Sequence, residues 1–169
     1  AINGGNTYIA SANVTNIGTG RIYGDHIAVA TGALTNDAET IAGVKTAATL
    51  AARQRLDIGA KTINNTNDAL IYSDGDLFIG GGVDKNHQAQ GRAVSVINNG
   101  STIEAAKNMS ITAEEIQNLN RDLAYKVVTL ENFVNSPGAT NDSEYVTNVG
   151  VIVGDPSLIL HDAVSYPVK

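Results

Sequence analysis

The chain lacks cysteine and tryptophan, and it has only three prolines in 169 residues. Without cysteine, no disulfide framework can hold the fold, so an apolar core has to do so. Phenylalanine occurs only twice, and the core must therefore be built from Ile, Val, Leu and Ala. Such a core suits narrow, tightly stacked β-structure better than a sandwich closed around aromatic residues. Scarce proline agrees with a backbone whose N–H groups are mostly used in sheet hydrogen bonds.

Basic runs and long apolar runs are missing as well. The formal net charge is −6, and no arginine-rich stretch is interleaved with aromatics, which argues against a nucleic-acid partner. No apolar stretch approaches the roughly 20 residues of a membrane helix, so we predict no membrane span in this segment. The opening Ala1–Gly5 lacks the charged and apolar regions of a signal peptide. The sequence also begins inside a repeat, and we therefore expect it to be a piece of a longer protein.

Residue patterns of known metal and catalytic sites are not found. His26, His87 and His161 are far apart in the sequence and have no ligand spacing. Gly80–Gly82 is not followed by the lysine and hydroxyl residue of a phosphate-binding loop. No serine stands in a context that supplies a histidine partner. We therefore predict no metal, no cofactor and no catalytic residue.

The sequence does contain an asparagine that recurs five times, each time two residues after an aliphatic residue. Each pair belongs to a longer repeat of roughly 20 residues with apolar-x-apolar alternation, which is typical of a stacked solenoid. The clearest repeat runs from Ile63 to Gly81 and has paired anchors at Leu77 and Ile79. The five pairs are Val14/Asn16, Leu34/Asn36, Ile63/Asn65, Ile97/Asn99 and Ile116/Asn118.

The repeats predict an all-β fold. In Leu56-Asp57-Ile58 and in the equivalent triplets, the outer two residues face one side of a strand and the middle residue faces the other. Three such short strands per repeat, joined by turns, make one coil of a parallel β-helix. We expect four to five coils over residues 1–120. The asparagines are expected to satisfy backbone groups at the coil corners and to bond the asparagine of the next coil.

Two repeats contain insertions, Asp37–Thr49 and Gly80–Ser95. The first has Ile41, Val44 and Ala48 at a spacing that is compatible with a short helix or with an irregular loop. Insertions in solenoids project from one face and often carry binding residues. The candidate binding residues in the two insertions are Asp37, Glu39, Lys45, Asp84, Lys85, Asn86 and His87.

Residues 121–169 do not continue the repeat. Strand-like runs occur at Tyr125–Leu130, Tyr145–Val153 and Leu158–Leu160, and Ser136–Gly138 is typical of a turn between them. We predict a domain boundary after residue 120. The second region is expected to be a hairpin-rich extension or cap, or the start of a following module.

The repeats resemble the haemagglutinin repeats of the filamentous haemagglutinin family. These are large exoproteins of bacterial two-partner secretion, and they include contact-dependent growth inhibition toxins. The stretch Ile116–Asn120, followed by Val127-Val128 and Tyr145, is similar to the way these arrays end in the toxin branch. The resemblance is clear over residues 5–120 and loose beyond them. The segments that carry it are Asn16–Val29, Leu50–Arg53, Leu56–Ala60, Ala69–Ser73, Gly75–Gly81, Ile97–Gly100 and Ile103–Ala105.

The resemblance implies a right-handed parallel β-helix, export through an outer-membrane two-partner secretion transporter, and display on the bacterial cell surface. It implies adhesion or toxin delivery for the whole protein, with a host or neighbouring-cell receptor or glycan as partner. It supplies no activity for this segment. We therefore expect a non-enzymatic structural or adhesive segment that presents a distal binding or toxin module.

Two other functions are compatible with a β-helix. A carbohydrate-active lyase or glycosidase needs carboxylates that converge on one face. A direct receptor-binding module would use the insertions or the C-terminal region. Two columns of outward residues test the enzyme hypothesis, and each contains only one acid. They are His26, Arg55, Asp76 and Asn108 in one, and Ala28, Asp57, Phe78 and Ser110 in the other. Mixed solvated faces account for them better.

Overall fold

The computed structural model describes residues 1–120 and four two-residue strands beyond them. The chain divides into two compact units, Ala1–Arg121 and Asp122–Lys169. In the second unit the described strands form two antiparallel pairs, β13 with β15 and β14 with β16. The rest of the predicted hairpin-rich region lies outside the described residues. These four strands are β13 (Val127–Val128), β14 (Tyr145–Val146), β15 (Val151–Ile152) and β16 (Tyr166–Pro167).

All regular elements of residues 1–120 are β-strands, so the all-β prediction is confirmed. Ten of the twelve strands in this part form one sheet. The strands are β1 (Ile2–Ile17), β2 (Arg21–Ile41), β3 (Val44–Ala47), β4 (Thr49–Thr66), β5 (Leu70–Ser73), β6 (Asp76–Gly80), β7 (Gly82–Val83), β8 (Ala89–Gln90), β9 (Ala93–Asn99), β10 (Thr102–Ala105), β11 (Met109–Ile111) and β12 (Ala113–Leu119).

Parallel pairing joins the successive repeats. The order β1-β2-β4-β5-β10 runs through the sheet, and each neighbour pairs in parallel. Strand β4 also pairs with β6 and β9, which pair in turn with β11 and β12. Only the short strands β3 and β8 pair antiparallel, with β2 and β7 respectively, in this part of the chain.

The pairing register places equivalent residues of the repeats opposite one another. Ile22 lies opposite both Ile2 and Leu50, and Leu50 lies opposite Ile71. The side chains therefore form columns across the strands, with steps of about 4.8 Å. Two further aliphatic columns are Ile27, Leu56, Leu77 and Met109, and Val29, Ile58, Ile79 and Ile111.

These aliphatic columns form the core. Their inner members, such as Leu56 and Ile58, are fully buried, and burial of each such side chain contributes roughly 1.5–3 kcal/mol. Members at the two edges of the sheet are not covered to the same extent. Ile2 is 49% exposed, Met109 44% and Ile116 55%. The inner repeats therefore contribute most of the apolar stabilisation.

The first insertion is an antiparallel hairpin, so the prediction of a short helix or irregular loop is wrong. Ala38 pairs with Ala47, and Ile41 pairs with Val44. The two residues between the strands, Ala42 and Gly43, have φ angles of 50° and 80°. Positive φ at both central positions gives the twist that a two-residue hairpin needs.

Candidate functional site

Five asparagine side chains form a continuous hydrogen-bonded chain, which we call the asparagine column. The Nδ2 atom of Asn16 donates to Oδ1 of Asn36 at 2.8 Å, and Asn36 donates to Asn65 at 2.8 Å. Asn65 donates to Asn98 at 2.8 Å, and Asn98 donates to Asn118 at 2.9 Å. All four bonds run in the same direction, so the column has an acceptor end and a donor end.

The fourth member of the column is Asn98, so the prediction of Asn99 is wrong by one residue. Asn98 lies opposite Asn65, whereas Asn99 lies opposite Thr66. A shift of one residue along a strand turns a side chain to the other face of the sheet. Asn99 therefore points away from the column.

The core aliphatic residue two positions before this asparagine also differs by one residue from the prediction. Val96 lies opposite Ile63 and is 1% exposed, so Val96 takes the core position that was predicted for Ile97. Two aliphatic residues and two asparagines are adjacent here, and either alternation fits the repeat equally well.

The column also satisfies backbone carbonyls at the turns beside it. The Nδ2 atom of Asn36 donates to the Leu70 carbonyl at 3.1 Å, and that of Asn65 donates to the Thr102 carbonyl at 2.8 Å. Both asparagines are fully buried. No buried side-chain nitrogen or oxygen in the described part of the chain lacks a hydrogen bond. Both N–H groups of Asn36 are used internally, which assigns the column to folding rather than to ligand binding.

The charged candidates of the first hairpin contact the turn at residues 66–69. The Oδ1 atom of Asp37 accepts a hydrogen bond from Asn67 at 2.8 Å, and Lys45 forms an ion pair with Asp68 at 2.8 Å. Glu39 lies against Gly18, where an added Cβ would be 2.8 Å from the Glu39 Cβ. These residues hold the hairpin to the neighbouring repeat.

The tip of this hairpin exposes apolar side chains instead. Ile41 is 65% exposed and Val44 67% exposed. The candidate binding residues predicted from the sequence were the charged ones and did not include this pair. A weak signal was present, because two β-branched residues that flank a two-residue Ala-Gly loop are compatible with the end of a hairpin.

The second insertion contains a hairpin of β7 and β8, and Asp84 organises its tip. The Oδ1 atom of Asp84 accepts hydrogen bonds from the backbone N–H groups of Asn86, at 2.8 Å, and Gln88, at 2.9 Å. Lys85, Asn86 and His87 are exposed on the turn. His87 stacks on Tyr8 with ring centroids 3.9 Å apart and an angle of 12° between the rings.

This hairpin folds back onto the outward face of the sheet, and glycines permit the close approach. A Cβ at Gly59 would lie 2.1 Å from the backbone of Gly82, and one at Gly80 would lie 2.5 Å from the Gln90 carbonyl. Both distances are too short for non-bonded atoms. The glycines of this region thus mark a place where backbone packs on backbone.

A buried carboxylate fixes the hairpin to the sheet. Asp57 is 0% exposed. Its carboxylate accepts two hydrogen bonds from Arg55, at 2.6 and 2.9 Å, and one from the backbone N–H of Ala89, at 2.8 Å. The Nε2 atom of His26 lies 3.0 Å from Asp57 Oδ2. Arg55 also lies over the Phe78 ring, 4.3 Å from its centre. Asp57 was predicted to lie on a solvated face, and the folded-back hairpin is the reason that it does not.

The hydrogen bonds to Asp57 favour the ionised form of its carboxylate. Burial raises the pKa of Asp57, but hydrogen bonds from Arg55, Ala89 and His26 oppose that effect and leave the pKa below its ordinary value. The carboxylate is therefore ionised at neutral pH.

Beside this cluster lies an open cleft of about 170 Å³. It brings His26 and His87 to one place, which their separation in the sequence did not indicate. Among the described residues, no three His, Cys, Asp or Glu side chains are grouped to hold a metal ion. His161 lies outside the described residues. The cleft is lined by Asn6, Thr7, Tyr8, His26, Ala28 and His87.

No family model, no curated protein and no solved structure matches the chain. Within the part of the chain that the structure describes, no helix has the length and apolar character to cross a bilayer.

Proposed function

We propose that the chain is a right-handed parallel β-helix segment of a large secreted bacterial surface exoprotein, an adhesin or a contact-dependent toxin. In that protein it is a non-enzymatic stalk that presents a distal binding or toxin module. The observation that best supports this function is the asparagine column, because one file of amides needs equivalent corners of successive coils to be stacked. The column links Asn16, Asn36, Asn65, Asn98 and Asn118.

The spacing of the column supports winding in coils. Consecutive members are 20, 29, 33 and 20 residues apart, and the strands that carry them pair in parallel. A β-helix returns the chain to the same column in the same direction once per turn, so these intervals support one coil each. The two longer intervals contain the two hairpin insertions. Parallel crossovers are right-handed in nearly all proteins, which supports the proposed hand.

A stalk needs stiffness, and the described residues supply two sources of it. The hydrogen-bonded ladder is continuous from β1 to β12, and aliphatic columns pack along its inner face. In a solenoid each coil is held by its neighbours, so orientation is transmitted along the stack. Export and surface location are supported by the resemblance alone. A chain without cysteine is compatible with passage through an outer-membrane transporter in an unfolded state.

The stalk function is tested by placing the chain between an outer-membrane anchor and a small reporter domain on bacterial cells. We expect the reporter to keep a fixed orientation, seen as a high residual fluorescence anisotropy, whereas a reporter on a Gly/Ser linker of equal residue number tumbles freely, because stacked coils transmit orientation and a flexible linker does not. Reporter copy number, measured with a small fluorescent ligand, is the control. Equal residual anisotropy of both fusions would contradict the stalk function.

A direct receptor-binding function is the second candidate, and the exposed pair Ile41 and Val44 favours it. The purified chain would then bind target cells saturably. Replacement of both residues by threonine would abolish that binding, while Lys85→Ala on the other hairpin would not. This result would support a receptor-binding module and contradict the stalk function.

The carbohydrate-active alternative has less support. Asp57 is the carboxylate of the outward columns that lies deepest, and its oxygens are already bonded to Arg55, His26 and the Ala89 backbone. An acid catalyst needs a carboxyl group with a raised pKa, and the pKa of Asp57 is lowered. Release of reducing ends or unsaturated products from a polysaccharide panel would reverse this ranking.

A further inference from the structure

Two tyrosines lie in one outward column in the interior of the sheet. Tyr23 on β2 lies opposite Ala51 on β4, and Ala51 lies opposite Tyr72 on β5. Each of these three strands has a strand neighbour on both sides. The next residue along β4 in the other direction, Leu50, is fully buried, so alternation turns this column to the outer face. We call Tyr23, Ala51 and Tyr72 the tyrosine platform.

The ring of Tyr72 leans along its strand. Its hydroxyl donates a hydrogen bond at 3.1 Å to Oδ1 of Asp74, two residues further along the chain. A side chain that stood upright on the sheet could not reach that position, because two residues of a strand span about 6.6 Å. Both tyrosines of the platform are half-buried. The platform thus offers aromatic surface to a ligand that lies flat on the sheet.

The spacing of the platform matches one kind of polymer. Neighbouring strands lie about 4.8 Å apart, so two strand steps separate the tyrosines by about 10 Å. In an extended β-1,4-linked glycan each sugar is turned over relative to the next. Alternate sugars therefore present the same face, and they are separated by nearly the same distance as the two tyrosines. Sugars offer C–H groups on these faces, and such groups pack well on aromatic rings.

The charged side chains beside the platform favour an uncharged glycan. Asp74 and Glu104 are both exposed, and Glu104 lies opposite Tyr72. Two arginines lie near the other tyrosine, but Arg53 forms an ion pair with Asp25. The second, Arg21, donates to the carbonyls of residues 18, 20 and 47. The exposed carboxylates can accept hydrogen bonds from sugar hydroxyls, whereas they would repel a glycan that carries carboxylates or sulfates.

We propose that the tyrosine platform binds an extended, uncharged β-1,4-linked glycan. The glycan chain crosses the strands, and alternate sugars stack on Tyr23 and Tyr72, while the small side chain of Ala51 leaves room for the sugar between them. A coiled α-1,4-linked glycan does not present one face at this interval. The inference goes beyond the stalk function, because it gives the segment a ligand of its own, and its failure would leave that function untouched.

The dependence of affinity on glycan length tests the two-point contact. The full chain is titrated with cellobiose and with cellotriose, and binding is followed by the NMR shifts of backbone amides. Three sugars are needed to contact both tyrosines, so cellotriose should bind about five- to ten-fold more tightly than cellobiose. Equal affinity of the two sugars for the unaltered chain, or no binding of either, would overturn the inference.

Substitutions assign this gain to the two rings. Tyr23→Thr and Tyr72→Thr should each abolish the preference for cellotriose, whereas Tyr23→Phe, which keeps the ring, should retain it. Threonine is well tolerated in strands, and circular dichroism verifies folding. The matched control is Tyr8→Thr, because Tyr8 is 48% exposed but lies in another column, opposite Ala28. A preference that persists in both platform variants, or that is lost equally in the Tyr8 variant, would contradict the proposed site.

Two further sugars test the linkage and the charge of the ligand. Maltotriose has α-1,4 linkages, and the trimer of β-1,4-linked mannuronate carries a carboxylate on each sugar. Both should bind to the unaltered chain at least about five-fold more weakly than cellotriose. Binding of maltotriose as tight as that of cellotriose would overturn the match of spacing. Equally tight binding of the mannuronate trimer would overturn the assignment of an uncharged ligand.

Discussion

Asn65 donates a hydrogen bond to Asn98, which lies 33 residues further along the chain, at 2.8 Å. On its other side, the Oδ1 atom of Asn65 accepts from Asn36 at the same distance. The amide of Asn65 is therefore fully used inside the protein, and its removal would leave groups on both neighbours without partners.

Replacement of Asn65 by alanine should destabilise the protein by about 1–3 kcal/mol, because buried donors and acceptors lose their partners. The matched control is Asn64→Ala, since Asn64 is the next residue on the same strand and faces the opposite side. We expect the control to change the free energy of unfolding by less than about 0.5 kcal/mol. Urea denaturation measures both. Equal effects of the two substitutions would argue against the buried column.

Gly59→Ala should displace the second hairpin from the sheet, because the added methyl group meets the Gly82 backbone at 2.1 Å. We expect a loss of at least about 1 kcal/mol, as for other overpacked sites, and faster amide exchange at Ala89. Gly82→Ala is the matched control, since an added Cβ there meets nothing within 4 Å. Unchanged exchange at Ala89 in the Gly59 variant would show that the hairpin does not pack there.

The lowered pKa of Asp57 predicts that the protein loses stability in acid. Its pKa is lower in the folded protein than in the unfolded chain, so the unfolded state binds more protons as the pH falls. The stabilisation is complete above the unfolded pKa of about 3.9 and is lost as the pH falls through the folded value. Asp57→Asn should flatten this part of the pH–stability curve and destabilise the protein at pH 7 by about 1–3 kcal/mol. An unchanged acid limb in the variant would contradict the ion-pair assignment.

The stability of the first hairpin should depend on its two turn residues, Ala42 and Gly43. Ala42 has φ 50°, a conformation that asparagine adopts more readily than alanine, and Asn-Gly is the preferred pair for this turn. Ala42→Asn should slow amide exchange in β3, while Gly43→Val should accelerate it, because a β-branched residue is strained at φ 80°. Exchange that does not distinguish the two variants would argue against this turn geometry.

The core columns were predictable because their period is visible in the sequence. Pairs such as Leu56/Ile58 and Leu77/Ile79 alternate with other residues and recur in each repeat, and alternation of this kind fixes which face of a strand is buried. At Val96–Asn99 the same rule fails, since two registers satisfy it equally. There the register is decided by pairing with Ile63 and Asn65 on the neighbouring strand, which no local pattern records.

The contacts of the insertions were less predictable, because they depend on tertiary structure. Ile41 and Val44 are spaced for one face of a helix and equally for the two sides of a tight hairpin, and Ala-Gly is a weak turn signal. The burial of Asp57 depends on a hairpin that begins some 25 residues later in the chain. Gly59 and Gly80 allow that contact, but a glycine in a strand does not by itself identify the segment that approaches it.

The single file of asparagines is tested most directly by nuclear Overhauser effects between side-chain amides in the folded protein. Stacked repeats predict that the Asn65 side chain shows contacts with Asn36 on one side and with Asn98 on the other. Contacts of Asn65 with Asn99 in place of Asn98, or no contact between asparagines of different repeats, would contradict the stacked arrangement and the stalk function built on it.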